Sequence, residues 1–328
     1  MWYLLGDVGG THMRLAAVDP AGDFCARQTR DTAGGAGLSE ACSKLIAEMG
    51  SVPQAVAVAA AGIVENGQVT FTNAAQSITT TALAQACHID PAKVSLLNDF
   101  EAAAWSLATI APGQVTYLQG EPDAQLSLPQ APRVIIGPGT GLGVGALLWH
   151  NGHPQAVPGE GGHMRLTPHS AEEVPYFQAL IAGWPDVQMG DGLAVEAEAI
   201  LSGTGVPNWY RAIAHVRGEA APLTDAAAIF AAARAGQDEN AHRAIASFTR
   251  YLAGMAGDLG LIFGARGGVF LTGGVAQANP WIFNADFLAA FNAGGRHSAW
   301  RSTLPLGLCQ DSDFGLKGAR NYLFARLD

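Results

Sequence analysis

Apolar runs interrupted by glycine-rich turns occur in a similar order in both halves of the chain. Residues 2–6 and 13–18 read as strands joined through Gly9-Gly10, since paired glycines between apolar runs are typical of a β-hairpin. Residues 133–149 repeat the order of strand, glycine-rich turn and strand. A third strand is predicted after each hairpin, over 23–32 and 153–158. Both halves therefore open with a glycine-tipped hairpin.

Helical and buried-strand patterns come after each hairpin. Helices are predicted over 38–50, 81–88, 101–108, 243–264 and 315–327, and further strands over 55–62, 93–99, 267–274 and 306–310. The longest helix carries an apolar stripe at spacings of three and four: Ile245, Phe248, Leu252, Met255, Leu259 and Ile262. This order predicts two α/β domains, and two such halves facing each other would place both hairpin tips beside one cleft.

Composition excludes some classes of protein and favours others. A chain of 328 residues, 49% of them hydrophobic, is long enough for two domains. The net charge is −10 and there are only three lysines, so we expect no nucleic-acid binding through a basic face. The four cysteines lack metal-binding spacing, which favours a reduced cytoplasmic protein. No apolar segment approaches the length of a membrane span, so we expect no membrane association.

The segment GPGTGLG (137–143) offers flexible backbone and a threonine hydroxyl to an anion. Gly141, Gly143 and Ala146 match the G-x-G-x-x-A spacing of dinucleotide loops. Residues 144–152 read as a strand running into a turn, whereas a Rossmann loop needs a helix there. A Walker A loop needs a Gly-Lys dipeptide, which the chain lacks. We therefore interpret the segment as a loop whose backbone N–H groups and threonine hydroxyl bind an anion.

Two polar residues, Asn98 and Asp99, lie at the end of the strand predicted over 93–99, and their pattern allows two interpretations. Asn98, with Glu101 three residues later, is a helix-capping pattern. Asp99 would then lie in the first helical turn, at the carboxyl end of a strand, where α/β folds often place functional groups. Structural capping and a catalytic carboxylate are both consistent with this pattern.

The loop PGEGGH (158–163) places Glu160 and His163 three residues apart among glycines. The pair could belong to a metal site, although two ligands without a third are a weak signal. A carboxylate and an imidazole also suit adjacent sugar hydroxyls, because those hydroxyls both donate and accept hydrogen bonds.

Six motifs together resemble one family. GDVGGT, LLNDF, GPGTGLGV, PGEGGH, LSGTG and LTGGV occur in the order and with the spacing of bacterial ATP-dependent glucokinases, the zinc-free glucokinase group of the hexokinase–actin superfamily. The resemblance spans 6–319. It implies two actin-like, ribonuclease-H-like α/β domains around a central cleft, for which we expect a small domain at 1–110 with 302–328 and a large domain at 111–301. The related ROK sugar kinases carry a cysteine-rich zinc motif after the sugar-binding His, and the absence of cysteine there disfavours that branch.

The resemblance also implies roles for individual residues. It implies that Asn98 holds a sugar hydroxyl and that Asp99 takes the proton from the 6-hydroxyl. Glu160 and His163 would bind the sugar, together with Glu198, which precedes Leu-Ser-Gly by three positions and is selected over Glu196. The ATP-binding residues would be Gly6, Asp7, Val8, Gly9, Gly10 and Thr11 in the first motif, Gly139, Thr140 and Gly141 in the second loop, and Gly273 and Gly274 on the adenosine side. Asp7 would lie near Mg²⁺, bound through water.

Two positions depart from the family pattern. His12 stands where the residue after the threonine is usually Asn, and Arg165 stands where the family more often has an acid. The predicted function is ATP-dependent phosphorylation of D-glucose at O6, with ATP and Mg²⁺, in a cytoplasmic homodimer. The alternatives are a kinase for another hexose, such as mannose or fructose, and a non-catalytic sugar sensor on the same fold.

Overall fold

The computed structural model describes residues 1–9, 12–31, 37–71, 77–121, 128–311 and 313–327. The chain divides into two compact units. Unit 1 comprises Met1–Ala111, Gly145–Gly159 and Asp311–Asp328, and unit 2 comprises Pro112–Val144 and Glu160–Gln310. The domain boundaries expected from the sequence stay a prediction.

Runs of consecutive strands are separated by helices along the described chain. The strands are β1 (Tyr3–Val8), β2 (His12–Val18), β3 (Phe24–Asp31), β4 (Val56–Ala60), β5 (Gly62–Glu65), β6 (Gln68–Phe71), β7 (Ser77–Thr79), β8 (Val94–Asn98), β9 (Val115–Gln119), β10 (Arg133–Pro138), β11 (Leu142–His150), β12 (His153–Val157), β13 (Arg165–Leu166), β14 (Val195–Glu196), β15 (Gly268–Leu271) and β16 (Leu306–Cys309). The helices are α1 (Gly37–Met49), α2 (Thr80–Cys87), α3 (Asp99–Ser106), α4 (Val174–Gly183), α5 (Gly205–Arg217), α6 (Ala226–Ala235), α7 (Glu239–Phe263), α8 (Gly274–Ala278), α9 (Ala285–Asn292), α10 (Ser298–Arg301) and α11 (Phe314–Leu327).

Unit 1 is built on a five-stranded sheet in the order β3-β2-β1-β4-β8. The first hairpin supplies the antiparallel pair β1–β2, whereas β1, β4 and β8 run parallel. All five residues of β4 are buried, as expected for the central strand of a sheet covered on both faces. The parallel strands therefore bring their carboxyl ends to one edge of this sheet.

Helices α3 and α11 approach each other closely in unit 1. A Cβ placed on Gly318 of α11 would lie 1.8 Å from the backbone oxygen of Ala102 in α3, so only glycine fits there. A Cβ on Gly145 of β11 would lie 2.4 Å from the backbone oxygen of Phe100. Helix α3 is thus held by close backbone contacts from two other segments of unit 1.

Unit 2 contains β10, β15, β16 and β9 as consecutive strands of a second sheet. The first three run parallel and β9 is antiparallel to β16. Strands β13 and β14 form a separate antiparallel pair, in which Arg165 faces Glu196. The two predicted hairpins and the strand after each of them are confirmed.

Helix α7 confirms the long predicted helix, with one correction. The Asp238 carboxylate caps it by accepting from the N–H of Ala241 at 2.9 Å, and left-handed Gly264 ends it. Five residues of the predicted apolar stripe are buried, but Ile262 is 66% exposed. The prediction was wrong at Ile262 because it lies in the last turn, where the helix no longer packs with that face against the core.

Candidate active site

Asp7 lies one residue before the end of β1, and both positive and negative side chains lie close to its carboxylate. Its carboxylate is 4.0 Å from the guanidinium of Arg14, the residue that pairs with it across the hairpin. Arg14 is also 3.6 Å from the carboxylate of Asp313, which Arg27 contacts as well. Burial raises the pKa of Asp7; Arg14 opposes this rise and Asp313 adds to it. Asp7 is thus a carboxylate with incomplete charge compensation.

The first turn of α11 packs directly on the Asp7 carboxylate. A Cβ on Gly315 would lie 2.3 Å from Cγ of Asp7, so a side chain at this position would displace the carboxylate. A carboxylate oxygen is the ligand type that Mg²⁺ prefers, and Mg²⁺ usually keeps several waters and binds through one or two carboxylates together with substrate phosphates. The described residues contain no group of three or more potential metal-ligating side chains. The arrangement therefore fits Mg²⁺ held through water and substrate better than a cage of protein ligands.

Of the first motif, residues 6–9 belong to the described part of the structure. The N–H of Gly9 donates to the backbone oxygen of His12 at 2.9 Å, which closes the described part of the hairpin. His12 lies 3.5 Å from the Asp31 carboxylate, and both side chains are exposed. Gly6 and Val8 lie in β1, whereas Gly10 and Thr11 lie outside the described residues.

Asn98 caps α3, as the capping interpretation predicted. Its Oδ1 accepts from the N–H groups of Phe100 at 2.8 Å and Glu101 at 3.2 Å, and its Nδ2 donates to the backbone oxygen of Gly62 at 3.0 Å. The Glu101 carboxylate accepts from the backbone N–H of Asn98, which completes a capping box. The cap places the half-buried Asp99 at the first position of α3.

The parallel register places Asp7 and Asp99 at the same edge of the sheet. Val8 pairs with Ala60 of β4, and Ala60 pairs with Asn98 of β8. Neighbouring strands are about 4.8 Å apart, so Val8 and Asn98, two strands apart, are about 10 Å apart. The first-motif acid and the Asn-Asp pair, far apart in sequence, are thus brought together in unit 1.

The glycine-rich tip between β10 and β11 is attached to the LSGTG segment in unit 2. Gly203 N–H donates to the backbone oxygen of Gly139 at 2.8 Å, and the Thr204 hydroxyl donates to that of Thr140 at 2.9 Å. Gly273 has φ +89°, and a Cβ on it would lie 2.4 Å from the backbone oxygen of Pro138. Gly274 comes next as the first residue of α8. The predicted ATP-side residues of unit 2 therefore gather around one hairpin tip.

Glu198 is hydrogen-bonded to the backbone beside that tip. Its Oε2 accepts from the N–H of Leu142 at 2.7 Å. A Cβ on Gly141 would lie 2.5 Å from the same oxygen, so the carboxylate rests against bare backbone. The backbone of the sugar loop is equally close, because a Cβ on Gly162 would lie 1.9 Å from the Leu142 carbonyl oxygen. A side chain at position 141 would therefore displace the Glu198 carboxylate from this contact.

The Glu160, Glu198 and His163 side chains interact electrostatically in unit 2. Burial raises the pKa of Glu160; His163 opposes this and Glu198 adds to it. Burial lowers the pKa of His163, but hydrogen bonding to Glu196 and the charges of Glu196, Glu198 and Glu160 outweigh it and raise the pKa overall. Glu160 and His163 thus influence each other's protonation, and the charge of Glu198 acts on both.

Sequence reasoning missed Glu196. Its Oε2 lies 2.9 Å from Nδ1 of His163, whereas the motif spacing had set Glu196 aside in favour of Glu198. Glu196 ends β14 and Glu198 lies in the short 3₁₀ turn Ala197–Ala199, so the two carboxylates diverge toward different partners. The available signal was the i, i+2 pair of acids, but no local pattern tells which partner each one meets.

Solved glucokinases share this fold, which is of the actin-like α/β type. A glucokinase from an Antarctic psychrotroph matches 98% of this chain and 98% of its own chain, with a TM-score of 0.82 and 27% identity. A glucokinase from Balamuthia mandrillaris in complex with glucose shares the fold at a TM-score of 0.82 and 23% identity, over 99% of this chain and 93% of its own. The matched fold is that of a sugar kinase.

Sequence comparison identifies the family. The family model described as Glucokinase matches residues 4–325. The glucokinase of Sinorhizobium medicae is 37% identical over 92% of this chain and 86% of its own length, and that of Mesorhizobium japonicum is 37% identical over the same shares. The chain belongs to the glucokinase family. In the described part of the chain, no helix has the length and apolar character needed to cross a membrane.

Proposed function

We propose that this enzyme transfers the γ-phosphoryl group of ATP to O6 of glucose, with Asp99 as the base that accepts the hydroxyl proton. ATP-dependent phosphorylation of glucose is the activity of the glucokinase family to which the chain belongs. The residue roles are our proposal. The observation that supports it is the cap on α3, which fixes Asp99 at the carboxyl end of β8 as the first residue of the helix. Asp99 Oδ1 also accepts from the N–H of Phe100 at 3.0 Å, which orients the carboxylate. Asn98, beside it, would hold a sugar hydroxyl.

The proposed chemistry depends mainly on positioning and electrostatics. Charge in phosphoryl transfer is spread over the phosphoryl oxygens, so there is little covalent work for the protein. Asp99 orients the 6-hydroxyl and takes its proton as that oxygen bonds to the γ-phosphorus, while the bond from this phosphorus to the β–γ bridging oxygen breaks and ADP leaves. The backbone at Gly139–Gly141 and Gly273–Gly274 binds ATP, and Glu160, His163 and Glu198 bind other sugar hydroxyls. Mg²⁺, held through Asp7, would neutralise phosphate charge when bound.

The test replaces the Asp99 carboxylate with an amide of the same shape. Asp99→Asn should lower kcat by about 10²- to 10⁴-fold, the usual contribution of a general base, while glucose still binds. The assay couples ADP release to NADH oxidation, and isothermal titration measures glucose binding. Glu48→Gln, on the exposed face of α1, is a matched control and should keep wild-type kcat. An Asp99→Asn enzyme with wild-type kcat would leave Asp99 as only the start of a helix.

We further propose that the enzyme works with Mg²⁺ as a cytoplasmic homodimer. Free cysteines at positions 25, 42, 87 and 309 suit a reducing compartment. Dimers are common in the resembled family. Activity titrated against Mg²⁺ after chelation tests the metal, and light scattering coupled to gel filtration tests the dimer; a monomeric mass at assay concentration would contradict it.

A further inference from the structure

His163 is a sugar-side residue with one ring nitrogen already engaged. Nδ1 lies 2.9 Å from Oε2 of Glu196, and this is the only hydrogen bond of the ring within the described part of the chain. The His163 side chain is 41% exposed and that of Glu196 is 33% exposed. The ring therefore has one nitrogen bonded to the protein and remains accessible to a ligand.

The chemistry of the bond defines the state of the ring. A carboxylate only accepts hydrogen bonds, so Nδ1 must carry the proton in both the neutral and the charged imidazole. In the neutral ring, Nε2 then has a lone pair and accepts from a hydroxyl. A ring without such a partner is free to rotate and to exchange between tautomers. The carboxylate thus determines which atom and which hydrogen-bonding role His163 presents.

The backbone holds Glu196 in place for this contact. Strands β13 and β14 pair antiparallel with Arg165 opposite Glu196. The N–H of Ala197 also donates to the backbone oxygen of Met164 at 2.9 Å, so the segment after His163 is tied to the segment that carries Glu196. Arg165 therefore lies across the ladder from the acid that contacts His163.

We propose that Glu196 is a positioning residue of the glucose site: it accepts the Nδ1–H of His163, fixes the ring tautomer, and leaves Nε2 as the acceptor for a sugar hydroxyl. The inference rests on the proposed function, because it assumes that His163 binds glucose. Glu196 itself need not touch the sugar. The nearby Glu198 accepts from the N–H of Leu142, whereas Glu196 contacts His163, so the two carboxylates have different partners.

The tautomer is measured directly by ¹⁵N–¹H correlation spectra of histidine-labelled protein, recorded at alkaline pH where the ring is neutral. His163→Gln assigns the resonance by its disappearance. The wild type should show the Nδ1–H form, and glucose should shift the His163 signal. Glu196→Ala should give a mixture of tautomers. Glu172→Ala, an exposed glutamate elsewhere in unit 2, should leave the signal unchanged.

A pH titration of the His163 resonances tests the Glu196 variants in a second way. The groups that act on His163 are Glu196, Glu198 and Glu160, and all three raise its pKa against the effect of burial. Removing Glu196 should therefore lower the pH at which the ring titrates. Glu196→Gln should lower it as well, yet preserve more of the tautomer bias than alanine, because the amide oxygen still accepts a hydrogen bond.

Kinetics link the ring to glucose. Loss of an oriented hydrogen bond should raise the glucose KM of Glu196→Ala by about 10-fold while the ATP KM changes by less than about twofold. Glu196→Gln should fall between wild type and alanine. A melting temperature within about 2 °C of wild type shows that unit 2 is intact.

Several results would overturn the inference. A wild-type ring protonated on Nε2, an unchanged tautomer in Glu196→Ala, or an unchanged glucose KM would each do so. A wild-type enzyme that phosphorylates glucose without any shift of the His163 signal would refute this role and the sugar contact of His163, while glucose phosphorylation with Asp99 as the base stands. Failure of the proposed function appears separately, as absence of glucose phosphorylation or as full activity of Asp99→Asn.

Discussion

Two substitutions of Glu198 should separate its structural contact from its contact with the sugar. Oε2 accepts from the N–H of Leu142, a residue only 6% exposed. Glu198→Gln keeps an oxygen for this N–H, whereas Glu198→Ala leaves it unpaired at a cost of about 1–3 kcal/mol. For a unit of this size 1 kcal/mol corresponds to about 2–4 °C. We therefore expect the melting temperature to fall by about 2–12 °C in the alanine variant and to stay within about 2 °C of wild type in the glutamine variant.

Activity should show a different order of effects. Hydrogen bonds to charged groups contribute about 1.5–3 kcal/mol, so loss of the carboxylate should lower kcat/KM for glucose by about 10- to 100-fold in Glu198→Gln despite its intact fold. The coupled ADP assay measures this, and Glu172→Gln is the matched control, expected to behave as wild type in both measurements. A glutamine variant with wild-type kcat/KM would show that Glu198 does not bind sugar. An alanine variant that melts like wild type would show that the Leu142 contact does not stabilise unit 2.

The remaining predictions concern the hexose and the surroundings of Asp7. An unpaired buried polar group costs about 1–3 kcal/mol, so kcat/KM in the coupled assay should be at least about fivefold higher for glucose than for its C2 epimer mannose; equal values would contradict the glucose assignment. Burial raises the pKa of Asp7, so the folded state binds that proton more tightly and loses stability as pH rises through the folded pKa. Asp7→Asn should therefore melt no lower than wild type at pH 7 while losing activity and its Mg²⁺ dependence, and the difference in melting temperature should shrink as pH falls; a large destabilisation at pH 7 would refute this. Gly315→Ala places Cβ 2.3 Å from Cγ of Asp7 and should lower both melting temperature and activity, whereas Gly183→Ala, with open space around its Cβ, should lower neither.

Local patterns predicted the parts of the fold that local physics determines. The two hairpins result from glycines between apolar runs, and the cap on α3 results from Asn98 with Glu101 three residues later. The end of α7 was predicted less well, because the same three-and-four spacing continues to Ile262 after the helix leaves the core. Periodicity indicates which residues share a face but does not indicate how far the partner surface extends.

Contacts between distant segments explain what sequence reasoning could not provide. Glu196 and His163 are 33 residues apart and meet because β13 pairs with β14. Both strands are only two residues long, too short to leave a periodic signal. The motif spacing selected Glu198, which the structure does place beside the hairpin tip, but spacing alone did not reveal the second carboxylate.

Unit 1 is assembled from segments at both ends of the sequence, and this has a consequence for the timing of folding during synthesis. Residues 1–111 contain Asp7 and Asp99, yet the first turn of α11 packs on the Asp7 carboxylate and Gly318 packs on α3. A nascent chain that has not reached residue 311 lacks both contacts, while unit 2 already has all of its residues. We expect the ribosome-bound chain to fold unit 2 first and to remain unable to consume ATP until α11 has emerged.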